Sequence, residues 1–94
     1  MISEIQKNII INTVRPYNPK RIGVFGSYVR GDQTEKSDLD ILIDFYERVN
    51  LLDLIGIEQD LSLSIGLKVD LVTEHSLSDK LKPYILSEVN YFYK

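Results

Sequence analysis

Ninety-four residues, 44% of them hydrophobic and 27% charged, are enough for one globular domain, residues 1–94, that can hold a core without staples. There is no cysteine, which excludes disulfides, thiolate catalysis and a Cys-ligated zinc. The net charge of −3 speaks against a general nucleic-acid binder, and no apolar run reaches the ~18 residues of a membrane span.

The start, Met1-Ile2-Ser3-Glu4, lacks the basic-then-apolar shape of a signal peptide, so a cytoplasmic location is expected. Residues 3–15 read as a helix. Ser3 and Gln6 have capping-box spacing, and Ile5, Ile9, Ile10 and Val14 form an apolar stripe. Pro16 and Pro19 end it. Arg21 to Phe25 has the composition of a short buried strand, and Gly26-Ser27 follows at once. Gly permits a tight turn, and Ser27 can cap a short helix through Tyr28, Val29 and Arg30 that Gly31 closes. Residues 32–37 are a polar loop.

Asp38 to Phe45 is the clearest strand. Leu39, Ile41, Ile43 and Phe45 share one face, while Asp38, Asp40, Leu42 and Asp44 share the other. Asn50 can cap a helix over Leu51 to Ile65, with Leu51, Leu54, Ile55, Glu58, Leu61 and Ile65 on one side and Gly66 at its end. Leucines 51, 52 and 54 and Ile55 are expected in the core, Glu58 and Asp60 in solvent. Leu67 to Thr73 predicts a third strand and Ser76 to Lys82 a short helical turn. Pro83 opens a final helix through Glu88, and Val89 to Tyr93 reads equally as a helix end or an edge strand. His75 is expected in a surface loop. The alternation predicts an α/β (α+β) fold. Its small β-sheet should be mixed, because the link between the first two strands is short for a crossover.

Charge is uneven along the chain. Residues 1–31 hold five bases and one acid, giving +4, and the remainder six bases and thirteen acids, giving −7. The acids follow the Gly26-Ser27 turn. Asp38 and Asp40 point the same way on their strand, and two neighbouring carboxylates are unfavourable without a cation. Magnesium suits such ligands, and a third acid from another strand would complete a two-metal site. Asp70 is the candidate. Asp44 shares the face but lies roughly 13 Å along the strand from Asp40, too far to share an ion. Asp70 would ligate the metal that activates an incoming hydroxyl, or act as its general base. The Gly26-Ser27 turn offers N–H groups and a hydroxyl to phosphate, and Arg30 lies one helical turn on.

Gly26-Ser27-x-x-Arg30-Gly31, then Ser37-Asp38-x-Asp40, then Asp70 on a later strand, resembles the DNA polymerase β-type nucleotidyltransferases. Within them the chain is similar to the minimal nucleotidyltransferases (MNT), over nearly its whole length. The resemblance implies a polymerase β-like fold. It also implies two Mg²⁺ ions on Asp38, Asp40 and Asp70, and ATP as substrate held by Gly26, Ser27, Arg30 and Ser37. The implied activity is transfer of AMP to a hydroxyl with release of pyrophosphate. Minimal members are commonly antitoxins that adenylylate a tyrosine of a HEPN toxin, so the expected partner is a HEPN-type toxin, with no membrane. Acceptor recognition would then come from that partner or from a second copy of the chain. Tyr28 stands where relatives often have Arg, and Val29 where a small residue is common. Two other readings stay open: an antitoxin that works by occlusion without catalysis, and transfer to a small molecule or an RNA end.

Overall fold

The computed structural model describes residues 2–94. Helix α1, Glu4–Val14, begins at a capping box. Ser3 Oγ accepts the Gln6 N–H at 3.1 Å, and Gln6 Oε1 accepts the Ser3 N–H at 2.9 Å. A 3₁₀ turn over Arg15–Tyr17 carries Pro16, and Asn18, left-handed at φ 59°, redirects the chain into β1, Pro19–Phe25. Helix α2 is one turn, Ser27–Arg30. Strand β2, Leu39–Phe45, is followed by α3, Leu51–Ile65, whose Asn50 cap accepts the Asp53 N–H at 2.8 Å. Then come β3, Val69–Thr73, a 3₁₀ turn over Glu74–Ser76, α4, Lys82–Glu88, and β4, Asn90–Tyr93.

The sheet has the order β3-β2-β1-β4 and is mixed. The short link from β1 to β2 makes that pair antiparallel, and α3 carries the crossover that makes β2 and β3 parallel. The chain's last residues, undecided in the sequence, form an edge strand antiparallel to β1. Gly23 is what lets it approach: a Cβ there would stand 2.6 Å from Val89 Cγ2. Among the described residues no helix is long and apolar enough to cross a membrane.

One face of the sheet is core. Ile22, Val24, Leu39, Ile41, Ile43 and Val69 pack against Ile10 and Val14 of α1 and Ile57 and Leu61 of α3. The helical stripes differ from the sequence reading. On α3 the buried side runs through Ile57 and Leu61, flanked by Leu54 and Ile65, while Leu51, Leu52 and Ile55 are exposed. On α1, Ile5 is exposed and Ile2, ahead of the cap, is buried instead. The helical turn expected over residues 76–82 is not there: Ser76 ends the 3₁₀ turn, residues 77–81 hold only bends and turns, and α4 starts at Lys82.

Glu58 also departs from expectation. It is half-buried, and its Oε2 accepts the Leu71 N–H at 2.8 Å; Ser62 Oγ likewise accepts the Val69 N–H at 2.9 Å. Both N–H groups belong to the outer side of edge strand β3, so α3 closes an edge that would otherwise invite another strand.

Candidate active site

Everything on the second face follows from register. Asp40 is the cross-strand neighbour of Asp70 on one side and of Phe25, the last residue of β1, on the other. Paired residues of adjacent strands project on the same side of a sheet, so Asp40 and Asp70 stand together there. Asp38, expected inside the strand, lies just ahead of β2, close enough for its charge to act on Asp40. The backbone joins the two strands here too, since the Leu39 N–H donates to the Lys68 carbonyl at 2.8 Å.

The carboxylates feel one another. Burial, then repulsion from Asp70 and from Asp38, holds the Asp40 carboxyl above its usual range; Arg30 opposes this and Glu88 adds to it. Asp70 is exposed and open to a substrate. Asp38 is turned toward Lys68, whose Nζ lies 3.5 Å from Oδ2. Among the described residues no three carboxylate, histidine or cysteine side chains form a ready ligand set. The donors nevertheless fit magnesium in kind: carboxylates from two adjacent strands and from the residue just ahead of β2, with a mutual repulsion that a cation would relieve.

Beside Asp40 the chain turns. Gly26, at φ 78° and ψ −150°, caps α2, and Ser27 is its first helical residue rather than its cap. The Gly26 carbonyl accepts from Val29 and Arg30, and Gly31, left-handed at φ 80°, closes the turn onto the Ser27 carbonyl. Positive φ at Gly26 excludes other residues on backbone grounds, and Asp40 excludes them on steric ones, because a Cβ would collide with its Oδ2. Arg30 is held by two acids, Asp32 at 3.4 Å from Nε and Glu88 at 3.3 Å from Nη1. Ser37 is engaged within its own loop, where its Oγ accepts the Thr34 N–H at 2.8 Å.

At the far end of the same face, Asp44 does something else. Arg21, its neighbour on β1, bonds it at 2.9 Å and Glu74 at 3.3 Å. Tyr91 lies against Arg21 and donates its hydroxyl to Glu74 at 3.3 Å. His75 is exposed, with Nε2 3.8 Å from Asp44 Oδ1. This network is a scaffold lock. The cavity of about 270 Å³ nearby, lined by Phe45, Arg48, Leu54, Thr73, His75 and Ser76, sits at the opposite strand ends from Asp40 and Asp70. The open surface bearing the acids, rather than that hollow, is therefore the candidate site. Sequence reasoning missed Glu88, 62 residues from the glycine it binds, and the Arg21 network; neither leaves a local spacing signal.

The profile of the nucleotidyltransferase domain matches residues 7–91. The chain belongs to this family. This nucleotidyltransferase is 48% identical over 75 residues to the protein adenylyltransferase MntA of Thermococcus cleftensis, covering 80% of this chain and 76% of that one. In structure it is similar to a toxin–antitoxin crystallised with AMP-PNP (TM-score 0.84, 27% identity, 93% of this chain and 72% of that one). It is also similar to a candidate minimal nucleotidyltransferase (TM-score 0.80, 32% identity, 92% of this chain and 88% of that one). The MNT resemblance read from Gly26-Ser27 to Asp70 therefore holds, and so does the mixed-sheet α/β fold.

Proposed function

We propose that this nucleotidyltransferase moves AMP from ATP, with magnesium, to a tyrosine hydroxyl of a partner HEPN-type toxin, and so acts as its antitoxin. The observation carrying the reading is the pairing of Asp40 with Asp70, within reach of the Asp38 charge and next to the Gly26-Ser27 turn. The relatives add that one is named a protein adenylyltransferase and that another is a toxin–antitoxin with an ATP analogue.

Asp38, Asp40 and Asp70 would hold Mg²⁺, which when bound supplies charge stabilisation for the attacking and leaving oxygens. The chain's own residues do the rest. The Gly26-Ser27 turn and the Ser27 hydroxyl bind the phosphates, and Arg30 offsets their charge. The acceptor oxygen attacks the α-phosphorus, the bond to the β-phosphate oxygen breaks, and pyrophosphate leaves. Asp70, exposed at the strand edge, takes the acceptor's proton.

Incubation with labelled ATP, Mg²⁺ and the co-encoded toxin should label the toxin on tyrosine. Asp38→Asn and Asp40→Asn should abolish labelling with circular dichroism unchanged. Labelling at the parent's rate in these variants overturns the site. Toxin neutralised by an unlabelled, tight complex with Asp38→Asn means inhibition by occlusion.

A further inference from the structure

Glu88 ends α4, and its carboxylate leaves the helix for the turn after β1. Oε1 accepts the Gly26 N–H at 2.7 Å, and both oxygens approach Arg30 Nη1, at 3.3 and 3.5 Å. Register explains the contact. Strands β1 and β4 are antiparallel, with Val24 opposite Asn90, so the ladder position opposite Gly26 falls to residue 88. There the backbone is helical, with the Val89 N–H donating to the Ile85 carbonyl at 2.9 Å. The Glu88 side chain therefore takes the bond that a strand carbonyl would have taken. Gly26 is buried, and its N–H has no water to replace a lost partner.

We infer that Glu88 is a positioning residue for nucleotidyl transfer: it fixes the Gly26-Ser27 turn against Asp40 and holds Arg30 beside it. The inference rests on the reading of the turn as the phosphate site. Two functions of one carboxylate can be separated. Toward Gly26 it is a short, charge-assisted acceptor on a buried donor, so removing it leaves a buried polar group unpaired. Toward Arg30 it is an exposed ion pair, which solvent screens. The Gly26 bond is the stronger of the two. It also acts on the element whose backbone must meet the phosphates. A turn displaced by an ångström loses binding to ground state and transition state alike.

The test measures binding of AMP-PNP with Mg²⁺ by calorimetry, well below the melting temperature, where a purely structural loss leaves the folded protein's affinity untouched. Glu88→Ala should bind about 10–100-fold more weakly. Glu88→Gln, which keeps an acceptor for Gly26 but no charge, should stay within about threefold of the parent. Glu88→Asp keeps the charge but falls a methylene short, and should bind as weakly as Glu88→Ala. The Gly26 amide should exchange faster with solvent in the Ala and Asp variants only. Parent-like affinity in Glu88→Ala overturns the inference, and so does tighter binding, which would make Glu88 a competing anion. If Glu88→Ala does not fold, parent-like affinity in Glu88→Asp overturns it equally. Failure of the parent itself to bind overturns the phosphate-site reading and this inference together.

Discussion

The Asp40 carboxylate fills the space that a Cβ on Gly26 would need. Gly26 also has φ 78°, so Gly26→Ala is opposed twice. The variant should lose about 1–3 kcal/mol of stability to backbone strain. Its rate of AMP transfer should fall by about 10²-fold, because the turn and Asp40 must move apart. Gly31 is the comparison: its φ is 80° but nothing stands within 4 Å of its Cβ position. Gly31→Asn, a residue that tolerates this conformation, should lose far less of either. Thermal melts and labelled-AMP transfer, run side by side, check both.

Asp40 predicts a pH dependence of stability in metal-free protein. Its carboxyl ionises above its ordinary value of 3.8, through burial first and then repulsion from Asp70 and Asp38. The native state therefore holds a proton that the unfolded chain has released, and stability falls as pH rises from the ordinary carboxylate range through the raised native value. Asp40→Asn should melt a few degrees higher than the parent at pH 7, and the difference should vanish below about pH 4. Added magnesium should raise the parent's melting temperature and leave that of Asp40→Asn nearly unchanged. A variant less stable than the parent at pH 7 would contradict this account.

Arg21 is the only base bonded to Asp44 and Glu74 alike among the described residues, and both acids are nearly buried. Arg21→Met leaves two carboxylates facing each other without a counter-charge. It should destabilise the fold by about 3 kcal/mol, measured by urea denaturation. Arg21→Lys should recover only part, since an ammonium is more strongly hydrated and forgoes the stacking of the planar guanidinium on Tyr91.

Glu58 guards the outer strand. Glu58→Ala frees the Leu71 N–H on the outer edge of β3. A loss of about 1–2 kcal/mol is expected, with a rise in self-association seen by light scattering. Glu58→Gln, still an acceptor, should behave like the parent in both assays.

What the sequence showed was what repeats at short range. The alternation in Asp38 to Phe45 gave a strand with its acids on one side. The Ser3–Gln6 and Asn50 caps, and the Gly66 stop, placed the helices within a residue or so. Helix faces were less legible. Leu51, Leu54 and Ile55 fit one stripe as well as Leu54, Ile57 and Leu61 fit another, and only the direction of approach to the sheet decides. The role of Glu58 depends on β3 being an edge, and that of Glu88 on β4 being a strand at all. Both are facts of strand order, which no local spacing encodes. Asp70 could be suspected from its place in a strand, but its side of the sheet follows from the β2–β3 register.

That register bears on synthesis as well. Asp40 and Asp70 come from strands joined only by the crossover helix α3, and the glycine turn is anchored by a carboxylate later still. A chain leaving the ribosome has its glycine turn and first two acids exposed well before the third, and α4 comes later still, with only β4 after it. On the function proposed above, the chain would take up ATP only once Glu88 has met Gly26, so a product ending before residue 88 should show no transferase activity.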